Sequence, residues 1–574
     1  MHVQICVPAA LRLNARYFRF KISQDAYLLI VGGKGRRPAE SARNWGISEG
    51  NLSYDAIVVG AGHNGLAAAV HLASKGWKVA VVERENSAGG AVKTEEVTLP
   101  GYRHDLFAMN LSMFAGSAFF ATHKEGLLRH GLEFVPVADS FASAFPDGKW
   151  LGVSTDLDAT TARIEPFSKA DAAQWRKMAQ AFPEEAAYIG GVMGTPMPSV
   201  EVVQLLIKTL RKKGYAWVRD MVKLLISSPR AYLDANFESP EVRALMAAWG
   251  LHLDFGPDIA GGAVFPYLES MANQNFGMVI GKGGADTIIK AMSGYLASLG
   301  GEIHLGRAVT RIIEENGRAS AIELDDGSHL SASRAIISNV HPQILANKLL
   351  GQSTGAKTLA DAVRNFRAGP GTMMLHFALS DLPDWSASPE LKSFAYVHLA
   401  PDYQMMSRAY QQATSGLLPS EPALVVGQPT ALDPSRAPAG KHVLWVQARV
   451  VPYEIKGDAD GTIAARDWDS AKEAYADRIL SIIERYAPGL RGKIEDAHIL
   501  SPLDLERANP NLVRGDSLSG SHHLDQNFLF RPAGGWSRHK SPVKNLFMVG
   551  ASTWPGAGTG AGSGFMLGKA LAGK

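Results

Sequence analysis

The run from Tyr54 to Glu83 constrains this chain most. Ala56-Ile57-Val58-Val59 reads as a short buried strand, Gly60-Ala61-Gly62-His63-Asn64-Gly65 as a tight glycine turn, and Leu66 to Lys75 as an Ala- and Leu-rich helix stopped by Gly76. Val79-Ala80-Val81-Val82 then reads as a second buried strand ending in Glu83. Strand, turn, helix and strand in this order make a βαβ unit, which belongs in a parallel sheet. Gly60 permits the turn, Gly62 lets a pyrophosphate approach the backbone, and Gly65 lets helix and strand pack closely. His63 and Asn64 stand where the helix begins and offers free N–H groups to an anion. Glu83, followed by Arg84, lies 18 residues beyond Gly65, close to where a carboxylate accepts hydrogen bonds from a ribose diol. The unit predicts a dinucleotide cradle in an α/β fold.

The rest of the composition narrows the chemistry. A length of 574 residues allows roughly three or four structural units. A net charge of +3 gives no whole-chain polyelectrolyte, and nucleic acid is not an expected partner. The one cysteine, Cys6, excludes an intramolecular disulfide and a thiolate metal cluster, so redox chemistry requires a bound cofactor. No apolar run approaches the ~18 residues of a membrane span, which places the protein in the cytoplasm or at a membrane surface. Residues 1–52 form an N-terminal extension in which Arg12, Arg16, Arg19 and Lys21 precede the first acid, Asp25. A targeting segment, a floppy extension and a start codon assigned too early all remain open for it.

Gly89-Gly90 follows Glu83 at six and seven residues. Strand, Gly-x-Gly-x-x-Gly, helix, Glu and a later Gly-Gly resemble the fingerprint of two-dinucleotide-binding-domain flavoproteins, and the resemblance implies FAD. Gly60 to Leu66, with Gly89-Gly90-Ala91-Val92 and Thr94-Glu95-Glu96, is most similar to the phytoene-dehydrogenase-related branch, which includes carotenoid desaturases. That branch implies a Rossmann-like FAD-binding domain interleaved with an α+β substrate domain. Residues 53–110, 280–349 and 501–574 are then expected to form the first, and 111–279 and 350–500 the second.

Two further blocks fit the resemblance. In the first, Ile288, Ile289, Met292 and Leu296 fall at helical spacing, Val309–Ile313 and 320–324 flank an Asn316-Gly317 turn, and Ala335–Ser338 returns to the sheet. The resemblance makes Val309 the residue laid against the adenine. In the second, Asn545 to Gly550 reads as a strand, and six glycines fall between Gly550 and Gly564. Such glycine density fits close approach to a ligand, here at Gly550, Ala551, Gly558, Thr559, Gly560 and Ala561. A helix starting near Gly560 would aim its positive end at the flavin pyrimidine edge. Relatives often carry an acid after the strand glycine; here Ala551 stands there, with Ser552 or Thr553 as substitutes.

In the substrate half, Thr372–Leu379, 394–398, 423–426 and His442–Val451 read as strands of a sheet roofing the flavin, and 469–486 as a core helix. The stretch from Tyr215 to Phe237 mixes Trp217, Met221 and Leu224 with Arg219, Lys223 and Arg230, which fits a membrane interface or a surface helix over the pocket. His104, His522, His523 and Trp554 are the candidate catalytic residues; adjacent histidines alone do not make a metal site. The expected activity is FAD-dependent oxidation of a largely apolar substrate, desaturase or dehydrogenase in type, by hydride transfer to a noncovalently bound flavin. Oxygen, a quinone or another acceptor would take the electrons onward. Amine oxidation and a flavin-binding interaction protein without turnover are the alternatives.

Overall fold

The computed structural model describes residues 53–573; the N-terminal extension and Cys6 lie outside the described residues. The strand Ser53–Val59 runs between Val79–Val82 and His329–Ser338 and is parallel to both. Glu302–His304 continues the sheet in parallel beyond Val79–Val82, and Leu546–Met548 pairs in parallel with His329–Ser338. The strands Val309–Glu315 and Arg318–Leu324 complete the seven, both antiparallel to their neighbours. Both faces of the first strand are covered, which is why its sequence is an apolar run rather than an alternation. Ala56 and Val58 pack with the helices His63–Ser74, Thr287–Ser298 and Gly562–Ala572; Tyr54, Ile57 and Val59 pack with Leu345, Leu359, Val363 and Phe366.

A second seven-stranded sheet runs in the order Ile494–Leu500, Gly371–Leu379, His442–Val451, Ala423–Gly427, Tyr396–Leu399, Asp139–Ala144 and Trp150–Ser154. Its neighbours are antiparallel except for Tyr396–Leu399 beside Asp139–Ala144. Leu444, Val446 and Ala448 pack under the helix Trp468–Glu484, while Trp445 on the other face meets Trp249, Met271 and their helices. Leu111 to Leu132 and Leu345 to Phe366 pack on the first sheet, so the chain does not change cores at the expected positions 110 and 349. Apolar spacing marks which residues are buried, not which core receives them.

Two helices differ from expectation in their bounds. The last helix begins at Gly562, because Ala561 takes a left-handed φ of 57° and starts it two residues late. The stretch from Tyr215 belongs to a longer helix, Val200–Ile226, broken at Gly214 (φ 81°) and followed by Pro229–Asp234. Phe237 leaves that surface altogether and is buried in the main core.

Candidate active site

The glycine turn sits at the carboxyl end of the first strand, where open α/β sheets bind ligands. Gly60 has φ +97°, and a Cβ on Gly65 would lie 2.5 Å from the Gly60 carbonyl oxygen. No side chain caps the helix His63–Ser74, so its first amides are available to an anion. Gly89 closes the turn from the side, its N–H donating to the Ala61 carbonyl at 3.0 Å, and a Cβ on Gly90 would lie 3.4 Å from Gly62 Cα. Ala91, half-buried, packs against the main core.

Glu83 is buried and held from two sides: Oε2 accepts from the Ala61 N–H at 2.8 Å, and Oε1 from the Glu85 N–H at 3.0 Å. A carboxylate offers about four acceptor positions, so both oxygens keep capacity for a diol. Arg307 donates its N–H to the Glu83 carbonyl and Gly306 to that of Glu85, each at 2.9 Å, which draws the segment leading to Val309 alongside Glu83. Arg84 is exposed and pairs with Glu85 at 2.8 Å.

The terminal glycine loop is fixed by groups from four parts of the chain. Arg531 is fully buried and donates to the Ala551 carbonyl through Nε and Nη2, at 3.0 and 2.8 Å, and to the Ser521 carbonyl at 2.8 Å. His522 Nε2 accepts from the Ala557 N–H at 3.0 Å, and burial pushes its pKa far down, so this imidazole is neutral with its Nε2 already engaged. His63 Nε2 lies 3.1 Å from the Gly558 carbonyl oxygen, joining the two glycine turns. Thr559 donates to the Asn110 carbonyl at 3.0 Å, and Met113 fills the space beside Gly558 and Gly560. Thr553 turns its hydroxyl inward, to the Gly550 carbonyl at 2.9 Å and to Ser563 at 2.7 Å. Like the cradle helix, the helix Gly562–Ala572 has no side-chain cap.

Sequence reasoning missed Asn339. It follows the strand His329–Ser338, donates its N–H to the Val59 carbonyl at 2.9 Å, and lies against Gly60, Gly62, Gly65 and Gly550. A Cβ on Gly62 would meet its Nδ2 at 2.8 Å, one on Gly65 at 3.0 Å, and one on Gly550 would meet its Oδ1 at 3.0 Å. Its place after a strand that returns to the sheet was the available signal.

The four catalytic candidates do not converge on one point. His104 accepts or donates at Thr98 Oγ1 (2.7 Å), stacks edge-on with His376, and has its pKa lowered to about 3, chiefly by burial and then by His498 and Arg436. Next to it, Asp105 pairs with Arg436, which also reaches Asp433 at 3.3 Å; all three side chains are buried. Trp554 donates to the Thr195 carbonyl at 3.0 Å and packs with Met197, Val202 and Met566. His523 faces the Asp254 carbonyl oxygen at 2.8 Å, its carboxylate at 3.4 Å and Tyr410 at 3.3 Å. Burial raises the Asp254 pKa to about 6, against the opposing pull of His523 and of hydrogen bonds from Ser521 and Tyr410. No group of described residues could hold a metal ion.

Two uncapped helix starts, backbone surfaces that any Cβ would fill, and a buried carboxylate with free acceptor positions together fit a dinucleotide cofactor. The comparisons identify its class. The family described as flavin-containing amine oxidoreductase matches residues 65–561. The chain is 27% identical to pyridine nucleotide-disulfide oxidoreductase domain-containing protein 2 of Mus musculus, over 88% of this chain and 91% of that one. It is also 27% identical to the phytoene dehydrogenase of Streptomyces griseus, with the same two shares. The crystal structure of an oxidoreductase from Methanosarcina mazei shares the fold, with a TM-score of 0.56, 18% identity, and 90% and 99% of the two chains covered. A match that runs from Gly65, where the first glycine turn ends, to Ala561 in the terminal glycine loop places the chain in the flavin-containing amine oxidoreductase family, as an FAD-dependent oxidoreductase of the desaturase or dehydrogenase type.

Proposed function

We propose that this chain oxidises a C–H bond in a largely apolar organic substrate, introducing a double bond or a related unsaturation. Bound FAD would supply the hydride acceptor. Gly60, Gly62, His63, Asn64, Gly65, Gly89 and Gly90 would hold its pyrophosphate, with Glu83 on a ribose and Val309 toward the adenine. Gly550, Ala551 and Gly558 to Ala561 would lie along the flavin end. The observation that supports the reading is the apolar character of the surroundings of that loop: Trp554, Met197, Val202 and Met566 pack as one buried cluster between the glycine loop and the helix Val200–Ile226. A phytoene dehydrogenase among the relatives agrees with it.

Amine oxidation needs a slot between aromatic rings in front of the flavin. The stretch from Gly550 to Gly560 carries no tyrosine that could form one wall of such a slot. The deciding experiment is anaerobic mixing of the flavin-loaded protein with apolar polyenes and terpenes in one series and amines in another. Bleaching of the flavin by the first series supports the reading; bleaching by amines alone replaces it. For reoxidation, oxygen or a quinone is proposed over NAD(P)+, because the sequence from Gly60 to Glu83 is followed by no second complete cradle of this kind.

A membrane surface is the proposed source of the substrate. Among the described residues no helix is long and apolar enough to cross a membrane. The helix Val200–Ile226 nevertheless exposes Val203, Leu206, Ile207 and Leu210 beside Lys208, Arg211 and Lys212. Apolar side chains ringed by cations suit an anionic lipid interface, where each basic residue contributes about 1 kcal/mol. Vesicles rich in phosphatidylserine should bind the protein, and a Lys208→Gln, Arg211→Gln double variant should bind them about thirtyfold more weakly. Equal sedimentation with neutral and anionic vesicles would refute the electrostatic part.

A further inference from the structure

The helix Val264–Phe276 buries Tyr267, Ser270, Met271 and Gln274 on one side. Phe265, Glu269, Ala272 and Phe276 follow one another at i, i+4, i+7 and i+11, so they share a second, less covered face. Phe276 is 63% exposed, and the other three are half-buried. Glu269 is the one polar side chain in that apolar stripe.

Among the described residues the Glu269 carboxylate has no hydrogen-bond or ion-pair partner. Burial alone pushes its pKa up to about 7. A half-buried carboxylate on an outer surface would keep its water and an ordinary pKa of about 4. Partial exposure and strong desolvation agree when the space it faces is walled by protein, so the stripe lines a recess, with Phe276 at its outer end.

Two routes tie this recess to the terminal glycine loop. Glu269 is close enough for its charge to act on the Tyr396 hydroxyl, which burial, Asp105 and Glu269 together hold well above the usual phenol range. The Asn110 amide acts on the same hydroxyl, and the Asn110 carbonyl accepts from Thr559 at 3.0 Å. Phe265, one turn earlier in the helix, stacks on Phe255 with ring centroids 5.1 Å apart. Phe255 meets His523, whose neighbour His522 bonds Ala557. The carboxylate and the loop therefore belong to one site. Of the titratable groups on the elements around the helix, burial keeps Tyr267 and Tyr396 protonated and His252 and His398 neutral, while Glu185 accepts from Tyr267.

We infer that Glu269 is a catalytic residue, the base that takes the proton released when the substrate is oxidised. This rests on the proposed oxidation of an apolar C–H bond and supplies the proton acceptor for it. Forming a double bond removes two hydrogens from adjacent carbons. One leaves as hydride, with its electron pair, to the bound flavin. The other leaves as a proton to a Glu269 carboxylate oxygen, and the electron pair of that second C–H bond becomes the new π bond. The carboxylate ends as the neutral acid, the form that an apolar recess favours.

The first test needs no substrate. Dicyclohexylcarbodiimide is apolar and couples to protonated carboxyls, so on the flavin-loaded full chain it should label Glu269 at pH 6, as read by peptide mass mapping. The label should fall about tenfold by pH 8, as the acid ionises around pH 7. No label at Glu269 at pH 6, or an equal label at pH 8, overturns the inference. The second test follows anaerobic bleaching of the flavin by whichever member of the polyene and terpene series bleaches it fastest. The rate should rise about tenfold from pH 6 to pH 8, because only the ionised form accepts a proton. Glu269→Gln should slow bleaching about a hundredfold or more and remove the pH dependence with flavin content unchanged, and Glu269→Asp should recover part of the rate. Bleaching as fast in Glu269→Gln as in the unaltered protein, or a wild-type rate flat over this range, sinks the inference and leaves the proposed function standing. The flat profile decides even where a variant does not fold. A flavin bleached by amines but by no polyene or terpene overturns the proposed function, and this inference falls with it.

Discussion

Replacement of Gly65 by valine is expected to give a folded chain that purifies without flavin. The Cβ alone would lie 2.5 Å from the Gly60 carbonyl oxygen and 3.1 Å from Val58 Cγ1. The first of these is backbone at the turn itself, so the clash can be relieved only by pushing the turn away from the helix. Overpacking of this sort costs about 1–3 kcal/mol in a tolerant core, and here it also displaces the amides that would meet the pyrophosphate. The ratio of visible flavin absorbance to protein absorbance in the purified sample measures the effect. Glu83→Gln supplies the graded comparison, because it keeps the side chain's shape and removes its charge. Losing charge-assisted bonds of about 1.5–3 kcal/mol should weaken FAD binding roughly tenfold to a hundredfold. Full flavin content in Gly65→Val would remove the cradle assignment.

The second large effect is on stability. Arg436→Met should lower the unfolding free energy by about 3–5 kcal/mol, because it leaves Asp105 and Asp433 buried without their cation. The arginine also donates to the Gly281 carbonyl at 2.6 Å, while Asp105 accepts from Thr94 at 2.6 Å and from the Ala285 N–H at 2.7 Å. One guanidinium thus joins the hairpin at 94–105, the loop at 281–285 and the turn at 433–436. Burial alone would raise the Asp433 pKa, yet it is lowered, because hydrogen bonds from Ser435 and the Gly283 N–H and the charges of Arg436 and Lys282 outweigh burial. A carboxyl held low in the folded state stabilises it above the unfolded pKa of about 4, and that stability is lost as pH falls through the folded pKa. Without Arg436 the opposition to burial weakens at Asp433 and Asp105 loses its cation, so the deficit of the variant should be larger at pH 7 than at pH 5. Denaturant midpoints at both pH values check this, and equal deficits would assign the loss to packing.

The cradle was legible because its parts are local. Val58, Gly60, Gly65 and Val81 lie within one βαβ unit, and a period of apolar residues broken by glycines states both the elements and their order. Four strands of the second sheet, Gly371–Leu379, Tyr396–Leu399, Ala423–Gly427 and His442–Val451, were legible because they are rich in apolar and aromatic residues, whereas the more polar Asp139–Ala144, Trp150–Ser154 and Ile494–Leu500 were not foreseen. Asn339 was not, because an asparagine after a strand is ordinary until the sheet sets it beneath Gly62 and Gly550. Within His442–Val451, Gln447 and Arg449 alternate with Val446 and Ala448 and are buried like them. Both faces are covered, so the alternation separates two interiors, one apolar and one partly polar. The histidines at 104, 522 and 523 could be named but not ranked, because what distinguishes them is the partner each finds across the fold.

The contact between Gly564 and the first cradle helix bears on how the protein is made. A Cβ at Gly564 would lie 1.8 Å from the Asn64 carbonyl oxygen, so the helix at Gly562–Ala572 rests directly on the turn that begins at Gly60. During synthesis the turn emerges early, and the helix that braces it emerges hundreds of residues later. Long-range closure of this kind is slow to form and leaves earlier segments waiting for their partners. A ribosome-bound chain ending before Leu546 lacks both the strand that pairs with His329–Ser338 and the loop tied to His63. The complete cradle therefore forms only after Gly562–Ala572 has emerged, and until then its first half stands without the helix that braces it.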